Sequence, residues 1–178
     1  MKQKNENIYL IGFMGVGKTT VAKELCNLLH CPLIDTDRLI ESEQHLSIPE
    51  LFEQKGEAYF RLCETECIKS LSEKNAQIIS CGGGICKQKE NVALMKQTGE
   101  IVLLVAEPET ILMHLQGNDN RPLLKGKKNV CDISQLMQER MPSYQEAATM
   151  VISTDGKEPI DIAREIAEKV CSSRSKNI

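Results

Sequence analysis

Short apolar runs alternate along the chain with longer stretches in which apolar residues recur every three or four positions. The runs are Ile8-Tyr9-Leu10-Ile11, Pro32-Leu33-Ile34, Gln77-Ile78-Ile79-Ser80, Ile101 to Val105 and Met150-Val151-Ile152-Ser153. Between them, residues 18–30 put Val21, Ala22, Leu25, Leu28 and Leu29 on one helical face, and residues 158–171 do the same with Ile162, Ala163, Ile166, Ala167 and Val170. Continuous apolar strands separated by helices predict a parallel sheet covered on both faces, a doubly wound α/β domain. Two stretches fit the alternation poorly. Residues 36–74 carry patterns for two or three helices, more than one crossover needs. Residues 117–131 are polar, glycine-containing and basic; a long loop in a compact domain is usually functional or disordered, and this one reads as a mobile lid. The whole is expected to be one domain over 1–178, with flexible tails at 1–6 and 172–178.

Composition narrows the function. Of 178 residues, 41% are apolar and 26% charged, ordinary for a globular protein with a real core. A net charge of -3 argues against a broad basic surface for nucleic acid, so an anionic substrate requires a locally positive site. No apolar run approaches the roughly 20 residues of a membrane span. The opening MKQKNENIYL is polar and runs straight into a strand, which reads as no signal peptide. A cytoplasmic monomer acting on small molecules is expected. The eight cysteines contain no C-x-x-C pair or zinc-like spacing and are expected to be reduced core-filling residues.

The strongest motif is Gly12-Phe13-Met14-Gly15-Val16-Gly17-Lys18-Thr19, which matches the phosphate-loop pattern G-x-x-x-x-G-K-S/T between a strand and a helix. Its glycines let successive N–H groups converge on phosphate oxygens, and the helix adds its positive dipole end. Gly12, Gly15, Val16, Gly17, Lys18, Thr19 and Thr20 are the expected nucleotide-binding residues. Lys18 should reach the β- and γ-phosphates and Thr19 should ligate Mg²⁺. No D-x-x-G or N-K-x-D accompanies the loop, so a metabolite kinase using ATP is favoured over a GTPase.

Ligands of a doubly wound sheet lie beyond the carboxyl ends of its strands. There the second strand ends in Asp35-Thr36-Asp37 and the third in Cys81-Gly82-Gly83-Gly84. The two acids can divide their tasks between metal and acceptor hydroxyl, or Asp35 can simply cap a helix. The glycines can admit substrate against the backbone, or form a tight turn. Arg61, Arg121 and Arg140 suit a carboxylate or a phosphoryl group, although any one alone is more often a solvated surface charge.

Taken in order, GFMGVGKTT, DTD, GEAYFRLCE, SCGGG, NRPLL and ERMPSYQEAA resemble the shikimate kinase family over about residues 8–171. The resemblance implies a nucleoside monophosphate kinase-type fold with a five-stranded parallel sheet. It implies transfer of phosphate from ATP to the 3-hydroxyl of shikimate, with Lys18, Asp37 and Arg121 catalytic. Asp37, Arg61, Gly82, Gly83, Gly84 and Arg140 would bind shikimate, and Asp35 and Ser80 would join Thr19 around Mg²⁺. Arg121 would be the lid arginine. Phe52 and Phe60 would wall the acceptor pocket, and Glu64 would orient an arginine. One departure stands out: His114 occupies a position where many members stack an arginine on adenine. Ser153-Thr154-Asp155-Gly156 resembles the adenine loop more weakly. His30 and His45 read as structural. The rivals are a kinase of the same fold for another acceptor such as gluconate, and a noncatalytic nucleotide-binding module.

Overall fold

The computed structural model describes residues 6–115 and 129–176, the last three as backbone. Twelve main elements follow one another: β1 (Asn7–Ile11), α1 (Lys18–Leu29), β2 (Leu33–Asp35), α2 (Thr36–Gln44), α3 (Ile48–Ser72), β3 (Ile78–Ser80), α4 (Lys89–Thr98), β4 (Gly99–Val105), α5 (Pro108–Leu115), α6 (Val130–Ala147), β5 (Met150–Ser153) and α7 (Pro159–Lys176). A 3-10 turn, Ile85–Lys87, precedes α4. The five strands pair in parallel in the order β2-β3-β1-β4-β5, so the expected sheet is present.

Successive strand residues point to opposite faces, which is why the apolar runs are unbroken. Ile8, Leu10, Val102 and Leu104 pack with Val21, Ala22 and Leu25 of α1 and with Ile162, Ala163 and Ile166 of α7. Tyr9, Ile11, Ile101 and Leu103 pack on the other face with Ile40, Leu51, Ile68, Met95 and Tyr144, from α2, α3, α4 and α6.

The crowded 36–74 region resolves into three helical pieces. α2 ends on His45 in the left-handed region (φ 53°), and α3 begins with a capping box between Ser47 and Glu50. α3 then breaks at Gly56 (φ 81°, ψ 167°), a conformation a helix cannot continue through. His30 closes α1 in the same left-handed way (φ 54°), so both histidines are helix caps.

Four expectations need correction. Leu28 is 40% exposed; Leu29 packs against the core as expected, and Cys26, which was not part of the expected stripe, joins it on the partly buried side of α1. Residues 130 and 131, assigned to the lid, are the first turn of α6, where the Asn129 side chain accepts from Asp132 N at 2.8 Å. α7 runs on to Lys176, past the point where a flexible tail was expected to begin. Cys131 and Cys171 are exposed rather than core-filling, while Cys67, Cys81 and Cys86 are buried. Among the described residues no helix is long and apolar enough to cross a membrane.

One buried polar residue ties the layers together. Asn7 is fully buried; its Nδ2 donates to the Lys74 carbonyl at 2.9 Å and its Oδ1 accepts from Gln77 N at 3.1 Å. Replacing Asn7 with Ala leaves those partners unsatisfied and should lower stability by about 1–3 kcal/mol. Urea unfolding should show this as a lower midpoint at unchanged slope; an unchanged midpoint would mean that water replaces the amide.

Candidate active site

β1 runs directly into the glycine loop. Gly17, at φ 97°, is the N-cap of α1 and supplies no side chain to cap it, so the helix start is left for an anionic ligand. Lys18 Nζ donates to the carbonyls of Gly12 and Phe13 at 2.7 and 2.9 Å, folded back over the loop. His114, near the end of α5, donates from Nδ1 to the Gly15 carbonyl at 2.8 Å; a carbonyl only accepts, so Nδ1 carries a proton. The Leu115 side chain covers Gly15 as well, 2.9 Å from where a Cβ would stand. At the other end of α5, the Asp155 carboxylate accepts from Glu107 N at 3.0 Å and from Thr110 Oγ1 at 2.7 Å. The suspected adenine loop is therefore fastened to α5.

The candidate acceptor side is built on the three glycines that follow β3. A Cβ on Gly82 would collide with Asp37 Oδ1, and one on Gly84 would collide with the Arg61 guanidinium. A Cβ on Gly83 would stand 3.2 Å from Arg140 Nη1. Side chains from α2, α3 and α6 thus converge on three consecutive residues. The run is held in place from both sides. Gly82 N donates to the Thr36 hydroxyl at 2.9 Å, and the Gly83 carbonyl accepts from the Tyr144 hydroxyl at 2.6 Å and from Arg140 Nη1 at 3.3 Å. Arg140 also lies over the Phe13 ring, 5.8 Å from its centroid, which joins the acceptor side to the phosphate loop.

Charge is concentrated at Arg61. Its Nη1 donates to Glu64 Oε2 at 2.7 Å, and Nε and Nη2 both reach Glu57 Oε1 at 3.2 and 2.8 Å. Burial alone would lower the guanidinium pKa, but Glu64 and Glu57 outweigh it and raise it. Glu64 is 1% exposed, and its Oε1 has no hydrogen-bond partner among the described residues. Burial pushes the Glu64 carboxyl above the usual range; Arg61 opposes this and Asp37 adds to it. Burial also pushes the Cys81 thiol well up and carries those of Cys67 and Cys86 to about 12, so none is a thiolate near neutrality. Lys18 and Asp37 act on Cys81 with opposite signs, so both charges lie close to this strand end.

Asp35 and Ser80 are register partners at the ends of β2 and β3, and Ser80 also pairs with Leu10 of β1. Asp35 caps α2 by accepting from Arg38 N through Oδ1 at 3.2 Å, as the alternative reading held. Phe60 is buried against Phe52, with ring centroids 5.0 Å apart, while Phe52 is 37% exposed. Arg121 lies outside the described residues. Tyr144, Thr36 and Glu57 were missed as supporting residues. Tyr144 falls one turn after Arg140 and Glu57 one turn before Arg61, so helical spacing held the signal for two of the three.

A shikimate kinase of Dehalococcoides mccartyi is 39% identical over 170 residues, which cover 96% of this chain and 96% of that protein. The profile of the shikimate kinase family matches residues 14–171. The chain belongs to the shikimate kinase family. It is therefore an ATP-dependent kinase, and the broad expectation from the motifs holds. The shikimate kinase from Acinetobacter baumannii in complex with shikimate superposes with a TM-score of 0.88 at 36% identity, covering 94% of each chain. A gluconokinase from Sinorhizobium meliloti reaches a TM-score of 0.60 at 12% identity, over 98% of this chain and 97% of that one. That likeness shows a shared fold and lends the gluconate alternative no support.

Two outcomes follow from the charges. Arg61→Ala strands Glu64 as a buried carboxylate without its counter-ion and should destabilise the fold by about 3–5 kcal/mol, with much of the loss recovered in Arg61→Ala/Glu64→Gln. Chemical denaturation of both variants decides it; equal losses would show that Glu64 is not charged. The hydrogen bonds and charges of Arg61 and Lys87 lower the Glu57 carboxyl from 4.5 to about 2. Since the folded value is the depressed one, the stability Glu57 contributes is present above about 4.5 and lost as pH falls through about 2. Carboxyl ¹³C NMR should show the low midpoint, and a midpoint near 4.5 would contradict the pairing.

Proposed function

We propose that the chain transfers the γ-phosphoryl group of ATP in line to the 3-hydroxyl of shikimate, releasing shikimate 3-phosphate and ADP. The observation that carries the reading is the convergence of Asp37, Arg140 and Arg61 on Gly82, Gly83 and Gly84, beside the phosphate loop. A carboxylate next to two guanidinium groups suits a compact ligand that has hydroxyls at one end and a carboxylate at the other. The bare backbone between them lets a ring approach closely.

In this reading Arg61 and Arg140 hold the substrate carboxylate and Asp37 accepts the hydrogen bond of the attacking hydroxyl. As the hydroxyl oxygen bonds to the γ-phosphorus, the bond to the β-phosphate oxygen breaks and the hydroxyl proton passes to Asp37. Lys18 leaves the Gly12 and Phe13 carbonyls to follow the phosphates, and Arg121 adds charge stabilisation from its own segment. Catalysis then rests on positioning and neutralisation rather than on a covalent intermediate. Gly12, Gly15, Val16, Gly17, Thr19 and Thr20 enclose the phosphates, and His114 lies at the base side of the loop.

Mg²⁺ belongs to this reading too. Thr19, Asp35 and Ser80 offer hydroxyl and carboxylate oxygens at adjoining strand and helix ends, a hard-oxygen set that fits the ion. When bound, the ion would supply charge neutralisation to the phosphates. A cytoplasmic, monomeric protein is the setting we assign to it.

Coupled ADP-release assays with shikimate, gluconate and a nucleoside monophosphate should show turnover with shikimate. Turnover that depends on another acceptor, or on none, would reject the assignment. Asp37→Asn should lower kcat by about 10²–10⁴-fold while leaving the affinity for MgATP unchanged. Undiminished turnover would remove Asp37 from the reaction.

A further inference from the structure

All three nitrogens of the Arg61 guanidinium are already hydrogen-bonded. Nη1 is held by Glu64, which at 1% exposure cannot turn away without stranding a charge, and it lies so near Gly84 that a Cβ there would collide with it. The remaining edge, Nε with Nη2, is straddled by a single oxygen of Glu57. A substrate carboxylate that seeks two parallel N–H donors needs that edge. Glu57 differs from Glu64 in one respect that decides the outcome: it is 52% exposed and can leave. It also has somewhere to go. Lys87 Nζ, on the turn just after Gly84, already touches the same Glu57 oxygen at 3.0 Å.

We propose that Glu57 is an internal competitor for the acceptor's carboxylate, displaced from Arg61 onto Lys87 when substrate binds, and so sets the affinity and anion selectivity of the site. A ligand without a carboxylate has nothing to exchange for Glu57 and leaves Arg61 closed. A carboxylated ligand exchanges one anion for another, so Arg61 never stands uncompensated. The inference rests on the reading of Arg61 as the carboxylate holder.

The test is a double-mutant cycle read in KM for shikimate, with KM for MgATP followed in parallel. Glu57→Gln keeps the shape and removes the competing charge; KM for shikimate should fall about three- to tenfold, the range expected of a half-exposed charge pair, with KM for MgATP unmoved. Lys87→Ala removes the alternative seat and should raise KM for shikimate about two- to fivefold, an effect that should vanish in the Glu57→Gln background. A rise or no change in KM for Glu57→Gln would overturn the proposal. So would an equal Lys87→Ala effect in both backgrounds, which a simple change of local potential predicts. In the unaltered protein, saturating shikimate should also move the Glu57 carboxyl midpoint upward as the guanidinium is withdrawn; an unmoved midpoint argues that Glu57 stays in place. Absence of shikimate-dependent turnover in the unaltered protein would instead remove the acceptor assignment itself, so the two failures are distinguishable.

Discussion

A charged side chain can lie flat against a polypeptide backbone only where no Cβ intervenes, and the candidate acceptor side of this protein depends on that constraint three times in succession. Asp37, Arg140 and Arg61 come from three different helices, yet each rests on one of the glycines at 82, 83 and 84. The arrangement fixes the spacing of the charged groups through the spacing of consecutive residues. That is a far stiffer ruler than helix–helix packing, in which side chains adjust to one another. A methyl group at 82 or 84 would push a carboxylate or a guanidinium out of position without disturbing the hydrophobic layers.

Two kinds of interaction keep this surface in register with the phosphate loop. The Thr36 and Tyr144 hydroxyls grip the glycine run from opposite sides, one on its amide and one on its carbonyl. Burial keeps Tyr144 protonated by raising its pKa, against the pull of Arg140, so it remains a donor. The second kind is electrostatic. Glu64 is costly as a buried carboxylate, and Arg61 is the partner that makes it tolerable, so the cation cannot easily leave its seat. A surface arginine would have neither the fixed position nor the raised pKa.

The parts of the structure that rest on local pattern were legible in the sequence. All five strands could be read from unbroken apolar runs, because a sheet covered on both faces leaves no polar alternation to confuse them. The glycine loop was legible because its chemistry needs particular residues at fixed spacing. What local pattern misplaced or left open has a different cause. Leu28 fits the apolar stripe of α1 by period alone, but the approach of α7 and β3 brings in Cys26 in its place. The Asp35 side chain could be read as cap or as metal neighbour, and its position at the head of α2 allows it to cap. The link between Glu57 and Lys87 spans 30 residues and joins two surface charges, so no local rule distinguishes it from ordinary solvated side chains.

α5 carries a consequence of its own. Asp155 grips its first turn, while His114 and Leu115 press its last turn against Gly15. A short rod clamped at both ends behaves as a strut. About 12 Å of helix therefore braces the loop beyond β5 against the Gly15 peptide and holds the two at a fixed separation.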